Sequence, residues 1–298
     1  MKAVQVVKPG EMKILDIEKP VIDEHNNVLV KMTAAGICGS DRGIYHGTNA
    51  AATYPRIIGH EMVGVVDEIG PDVKNLKVGD RVIINQVISC GHCYPCSLGR
   101  GNVCDNLKVR GVHVDGGYRE YIAVPEVDCY ILPDSLADTD AVMIEPTTIA
   151  IQSCARAELK EDDMLLIMGA GALGSTILKI ARLTCKHIIV ADIQDEKLEE
   201  AKENGAMYTI NSLKEDLVEK VKGIYTRTRK HSVNRRCVYE RFPDHPVKGN
   251  RKCRTCDDNG ILDSSDRGES VPDHIKRAGC ERLQTSEQNV REGNRADQ

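Results

Sequence analysis

The chain has 298 residues, a formal net charge of −5 and 12 cysteines. That length suits about two domains, and charge so close to balance excludes a global field that would recruit nucleic acid or an anionic membrane. No run approaches the roughly 20 apolar residues of a membrane span, and the opening "MKAVQVVKPGEMKILDI" lacks the apolar centre of a signal peptide. A cytoplasmic chain is therefore expected, with its thiols in metal sites and buried packing rather than in disulfides.

Residues 1–135 read as β-rich. Short alternating or apolar runs ("KAVQVV", "NNVLVKMTAA", "GVVDEIG", "DRVIIN", "GYREYIAVP") are separated by Gly, Pro, Asp and Asn turns. Residues 138–156 turn helical, with Pro146 as an interruption. From Met164 strands and helices alternate: "MLLIM", "ALGSTILKIARL", "HIIVAD", "EKLEEAKENG", "MYTI", "LKEDLVEKVK". Such alternation implies a parallel sheet covered on its faces. Beyond residue 222 neither period is visible. Of the 76 residues from Gly223 onward, eleven are Ile, Leu, Val, Met or Phe, and twelve of the chain's twenty arginines fall there. That apolar share is below the roughly 20% expected of a folding chain.

Four cysteines stand close together in "CGHCYPCSLGRGNVC": Cys90, Cys93, Cys96 and Cys104. Tight turns at Gly91, Pro95, Gly99 and Gly101 can bring their sulfurs onto one tetrahedral ion. With all four positions filled by thiolate, the spacing predicts a structural zinc. His92 lies inside the loop and is not needed as a ligand.

Two more segments hold metal-ligand chemistry, "GICGSD" with Cys38 and "GHEMVG" with His60 and Glu61. Cys38 and His60 are good zinc ligands, and Glu61 is a possible third. A fourth position left open would take water or a substrate oxygen, whose pKa bound zinc lowers. A Cys and a His this far apart are, taken alone, more often unrelated.

The stretch "GHEMVGVVDEIGPDV" has the form G-H-E-x-x-G-x5-G-x-x-V. With "GICGSD", "YPRIIGHE", "KVGDRV", the cysteine loop, "GVHVDGGYREY" and "MIEP", it resembles the zinc-dependent medium-chain dehydrogenases from residue 1 to about 222. "SCGHCYPC", "GVHVDGG" and "AVMIEPTTIA" are most similar to the branch acting on polyols, threonine and sugar acids. The resemblance implies an α/β chain with a GroES-like zinc catalytic domain over 1–150 and the first half of a Rossmann NAD-binding domain over 151–222. It implies a homodimer or homotetramer, a small-molecule polyol or sugar-acid substrate, and no nucleic-acid or membrane partner. It places Cys38, His60 and Glu61 on a catalytic zinc, with Glu145 binding that zinc or its water. Ser40 would take the substrate proton; read without the family, it is a turn cap. Many relatives continue the proton relay with a His where this chain has Gly43, and neither Tyr45 nor His46 occupies the matching position.

Met164 to Gly174 reads "MLLIMGAGALG", a G-x-G-x-x-G between a strand and a helix. Gly169 permits the turn, Gly171 admits a pyrophosphate, and Gly174 packs helix on sheet. The helix N-terminus would face the phosphates. Asp192, eighteen residues beyond Gly174, ends the next strand. There it should bind the ribose hydroxyls and favour NAD over NADP; the alternative is a helix cap. Cys129, Cys154 and Cys185 sit among apolar neighbours and read as buried thiols.

Residues 223–298 do not fit the family. The expectation is a reading-frame shift between residues 221 and 223, with a poorly ordered product. Read one base later with free choice of wobble bases, residues 253–261 can become "AGRVMTMGF", a glycine-led strand. In that frame Asp257, Asp258 and Asn259 yield only Ile, Met or Thr. The zinc-like spacing of Cys253 and Cys256 is then an accident of frame. The activity expected is NAD-linked oxidation of a secondary alcohol to a ketone; the alternative is an inactive chain that keeps only zinc.

Overall fold

The computed structural model describes residues 1–227 and the strand at 235–239. The described part divides into two compact units, one of residues 1–144 and one beginning at Glu145. No helix among the described residues is long and apolar enough to cross a membrane.

The first unit is β-rich. Strands β1 (Lys2–Lys8), β2 (Glu11–Asp16) and β3 (Val28–Gly36) lead into helix α1 (Gly39–Tyr45). Strands β4 (Arg56–Ile57), β5 (Glu61–Ile69), β6 (Arg81–Ile84) and β7 (Val87–Ile88) follow. The unit continues through α2 (Tyr94–Ser97), β8 (Lys108–Val109), β9 (Tyr121–Val124), β10 (Cys129–Ile131) and α3 (Asp138–Ala141). Its main sheet has the order β10-β6-β5-β3-β9, and a smaller sheet the order β2-β1-β4. Val28, Val30, Met62, Val66, Ile122 and Val124 form the core of the main sheet. Burying each such side chain contributes about 1.5–3 kcal/mol.

The register of β3 against β5 matters most for function. The two run antiparallel, with Gly36 opposite Glu61. The end of one strand therefore meets the start of the other, and the residues just outside the pair are brought side by side.

The second unit alternates strand and helix. Helix α4 (Ile144–Arg156) leads into β11 (Met164–Met168), α5 (Ala172–Ala181) and β12 (His187–Asp192). Helix α6 (Asp195–Glu203), β13 (Tyr208–Asn211), α7 (Leu217–Arg227) and β14 (Arg235–Tyr239) follow. The sheet is parallel, in the order β13-β12-β11-β14. Such crossovers give a half-wound nucleotide-binding arrangement, with α5 following the central strand.

Three expectations change. The units divide after Ile144 rather than after residue 150, because Ala150 and Cys154 of α4 pack with Leu165, Ile177 and Leu178 of the second unit. The interruption of the helical stretch falls at residues 142–143, between α3 and α4, and Pro146 follows it in the first turn of α4, where backbone N–H groups have no intrahelical partner to lose. The regular pattern also continues past residue 222. Leu217, Val221 and Ile224, at i, i+4 and i+7, pack on Met164, Ile189 and Ile210, so α7 carries its apolar face to Ile224. The strand Arg235–Tyr239 then pairs with β11 along its whole length. Parallel pairing is a backbone interaction, which a sequence rich in Arg does not advertise. The remainder of 223–298, including Cys253 and Cys256, lies outside the described residues.

Candidate metal centre and dinucleotide loop

Cys38 stands at the N-terminus of α1, just beyond β3, and His60 immediately precedes β5. Pairing of Gly36 with Glu61 therefore brings Cys38 to the adjacent donors His60 and Glu61 from a separate segment. Cys38 Sγ, a ring nitrogen of His60 and a carboxylate oxygen of Glu61 lie within 4.8 Å of one another. Zinc–donor bonds of about 2.0–2.3 Å put tetrahedral neighbours roughly 3.5 Å apart, so small side-chain shifts close this set on one ion. The donors are sulfur, imidazole and carboxylate, a set that suits zinc.

Gly36 makes room for the third donor. A Cβ there would stand 1.8 Å from Glu61 Oε2. The carboxylate thus lies across the bare α-carbon of its strand partner. Burial pushes the Glu61 carboxyl up, while neighbouring His60 pulls it down. The Cys38 thiol is held below its ordinary value, chiefly by its hydrogen bond with His60. Ser40 Oγ is 3.5 Å from His60 Nε2. Ser40 is therefore beside the donor group.

Behind the donors lies Asp41, which sequence reading missed. It is 2% exposed. Its Oδ2 accepts the Cys38 N–H at 2.9 Å, and its Oδ1 accepts the Gly59 N–H at 3.2 Å. Oδ1 also stands 3.6 Å from His60 Nδ1. At that distance the carboxylate faces Nδ1 as a nearby charge rather than as a hydrogen-bond acceptor, while Nε2 lies on the side of Ser40. One signal was present: Cys38 and Asp41 stand in the N-cap and N3 relation of a capping box. Tyr118 was also missed. Its hydroxyl donates to Gly36 O at 2.8 Å and stands 3.3 Å from Asp41 Oδ2. Burial raises the Tyr118 phenol above its ordinary value, so it keeps its proton and remains a donor. "GGYREY" contains no periodicity that marks it.

The four-cysteine loop is a separate centre. Cys93 Sγ is 3.4 Å from Cys96 Sγ and 3.7 Å from Cys104 Sγ, and Cys90 Sγ is 4.0 Å from Cys96 Sγ. Four thiolates on zinc, at about 2.3 Å each, stand roughly 3.8 Å apart. Gly91 and Gly99 adopt left-handed φ values of 79° and 72°, which turn the chain between ligands. The backbone N–H groups of Cys90 and Asn106 each donate to Cys104 Sγ at 3.3 Å. Cys90 is drawn down to about 6, first by the His92 backbone N–H. Cys96 is pushed up to about 11, chiefly by burial. Four crowded sulfurs do not all ionise without a cation between them.

In the second unit, Gly169 turns with φ 103° between β11 and α5. A Cβ on Gly174 would stand 1.9 Å from Gly169 O, so the helix packs against the turn itself. Gly171 is the N-cap residue of α5. Asp192 lies at the end of β12, 1% exposed. Its Oδ2 accepts the Ala170 N–H at 2.7 Å, and its Oδ1 accepts the N–H groups of Ile193 and Gln194 at 2.7 and 2.9 Å. The carboxylate thus ties the glycine turn to the neighbouring strand. Three of its roughly four acceptor positions are already in use, which leaves one for an outside hydroxyl. Glu145 lies in the first turn of α4, in the second unit.

Cys129 is a half-buried thiol pushed up to about 12 by desolvation. Cys154 is pushed up to about 11 by burial, and Cys185 donates to Asp163 O at 3.0 Å within the second core. His187 has a buried ring nitrogen, and His25 and His113 lie outside both metal centres.

Comparison with known proteins agrees with this geometry. Residues 24–134 match the alcohol dehydrogenase GroES-like domain family. The chain is 47% identical over 221 residues to the starvation-sensing protein RspB of Escherichia coli K12, covering 74% of this chain and 65% of that protein. It is 36% identical over 229 residues to sorbitol dehydrogenase of Bacillus subtilis 168, covering 75% and 65% respectively. The chain thus spans about two thirds of the length of these relatives. A solved rspB structure from E. coli CFT073, complexed with NADH, superposes with TM-score 0.69 at 43% identity, over 76% of this chain and 66% of that one. Zinc-dependent alcohol dehydrogenase 2 of Streptococcus pneumoniae superposes with TM-score 0.69 at 32% identity, over 80% and 68%. With a GroES-like unit, a parallel dinucleotide-type sheet and these relatives, the chain belongs to the zinc-dependent medium-chain dehydrogenase family.

Proposed function

We propose that this chain is built for NAD-linked oxidation of a secondary hydroxyl, in a polyol or a sugar acid, to a ketone. The observation that carries the reading is the convergence of Cys38, His60 and Glu61 within 4.8 Å, with Ser40 Oγ 3.5 Å from His60 Nε2. Zinc held by these three residues would supply Lewis-acid stabilisation of an alkoxide oxygen. Cys38 and Glu61 would bring negative charge to the ion, and Asp41 stands 3.6 Å behind His60. Ser40, 3.5 Å from His60 Nε2, would accept the alcohol proton. The family's further zinc or zinc-water carboxylate would be Glu145, which favours the polyol branch over classical alcohol dehydrogenases; it belongs to the second unit and is not among the three donors that lie together. The Gly43 position has no side chain to carry the proton onward, so water or another group would take that part.

The Gly169–Gly171–Gly174 turn would bind the NAD pyrophosphate at the N-terminus of α5. Asp192 would offer its one remaining acceptor position to a ribose hydroxyl and repel a 2′-phosphate. Cys90, Cys93, Cys96 and Cys104 would hold a second, structural zinc. A cytoplasmic homo-oligomer is the setting this reading implies.

A second reading, zinc binding without turnover, is favoured by the composition of residues 223–298, where eleven of 76 are Ile, Leu, Val, Met or Phe. Metal analysis with an NADH-absorbance assay over a panel of polyols and sugar acids separates the two. Two zinc ions per chain with polyol-dependent NADH production support the dehydrogenase. Zinc without turnover supports the second reading, and sequencing the coding DNA across codons 221–223 then tests the frame shift directly.

A further inference from the structure

Tyr118 touches Gly59, Gly36 and Asp41 around the candidate metal centre. Its ring lies on Gly59, where a Cβ would stand 2.2 and 2.5 Å from ring carbons. Gly59 turns with φ 93° immediately before His60. At the other end of the ring, the hydroxyl is 2.8 Å from Gly36 O and 3.3 Å from Asp41 Oδ2. Gly36 lies two residues before Cys38 and pairs with Glu61. One side chain thus bears on the segments that carry all three donors and on the carboxylate that faces His60.

Tyr118 is itself firmly held. Its N–H donates to Ile58 O at 3.0 Å, and its carbonyl accepts the Val4 N–H at 2.7 Å. Its ring packs against the cluster of Val6, Ile44, Ile58 and Val112. A ring anchored this way places its hydroxyl without freedom to swing.

Asp41 holds only part of its orientation through its own contacts. The N–H groups of Cys38 and Gly59 grip one oxygen each. The hydroxyl of Tyr118 is a third contact, on the oxygen remote from His60. It opposes rotation that would carry Oδ1 away from the imidazole.

We propose that Tyr118 is a positioning residue whose one hydroxyl proton, shared between Gly36 O and Asp41 Oδ2, holds Asp41 beside His60 and thereby shapes the Cys38–His60–Glu61 centre for a divalent metal. This rests on the metal-centre reading above. Removing outer-shell partners of metal ligands typically weakens binding by about 10–100-fold.

The test uses the full chain and its Tyr118→Phe variant, which keeps the ring and loses only the hydroxyl. Zinc affinity is measured by chelator competition, and the Co²⁺-substituted protein by its visible absorption. The four-cysteine loop serves as an internal reference. The expected result is one metal held as in the unsubstituted chain and the other about tenfold weaker, with altered cobalt bands from the second site alone. Asp41→Asn should weaken the same metal, and adding Tyr118→Phe to it should cost little more, because the two act through one contact. Unchanged affinity and cobalt bands in Tyr118→Phe overturn the proposal. So does full additivity with Asp41→Asn, or loss of both metals together, which marks a general folding role. A starting chain that takes metal only in the four-cysteine loop defeats the reading of the centre itself, and the proposal with it.

Discussion

The two candidate metal centres of the first unit are built in opposite ways. The four-cysteine loop gathers its ligands from one segment between Cys90 and Cys104, and its own turns do the gathering. The Cys38–His60–Glu61 centre gathers its ligands from two segments, and strand pairing does the gathering. In the loop the sulfurs are supported by nearby backbone N–H groups. In the assembled centre the support is a buried carboxylate and a phenol from elsewhere in the chain. A local centre needs metal to hold its fold, whereas an assembled centre has its frame made by the sheet before any metal arrives.

That contrast predicts unequal consequences of losing a ligand. Cys93→Ser should remove one metal equivalent and destabilise the first unit by on the order of 4 kcal/mol, in the class of metal-site losses. That corresponds to a drop of about 10 °C in melting temperature, read by calorimetry with metal analysis. Cys38→Ser should remove the other equivalent and move the melting temperature by only a few degrees, roughly 3 °C. Equal destabilisation by the two variants would erase the distinction.

A smaller change probes the assembled centre more finely. Gly36→Ala has no left-handed backbone to strain, but its Cβ would fall 1.8 Å from Glu61 Oε2. The carboxylate is the free end of a side chain and can swing aside. The expected outcome is metal affinity at this centre reduced by about tenfold, with melting nearly unchanged. Unaltered affinity by chelator competition would mean that Glu61 is not a ligand.

The smallest effect concerns the metal-stripped loop. Cys90, drawn down to about 6, is largely thiolate above that pH, whereas Cys96, pushed up to about 11, stays protonated until far more alkaline conditions. Iodoacetamide at neutral pH should therefore label Cys90 ahead of Cys96. Peptide mass spectrometry on the chelator-treated chain reads the order, and the preference should fade as pH rises toward 11. Zinc should abolish labelling of both.

The same division governs what could be read in advance. The cysteine loop was legible because ligands, glycines and spacing share one short stretch. The Gly169–Gly174 turn was legible for the same reason, since strand, turn and helix are consecutive. Cys38 and His60 were legible only through the family resemblance; no local pattern links them, because the link is the pairing of Gly36 with Glu61. Asp41 and Tyr118 escaped because their importance lies in what they face. The continuation of α7 and the strand Arg235–Tyr239 escaped because polar composition masked a helix with a narrow apolar stripe and a strand paired through its backbone.

By itself, then, the amino-acid order determined the β-rich run of the first unit, the alternation of the second, the four-thiol loop and the glycine turn, all of which follow from residue spacing and local backbone chemistry. Tertiary structure alone decided that Asp192 spends three of its acceptor positions on its own backbone neighbours, and that α4 belongs with the second unit. It also decided that Asp41 stands 3.6 Å behind His60. Those outcomes depend on which strands meet and in what register, and a long-range register is set by the whole sheet and its core rather than by any segment within it.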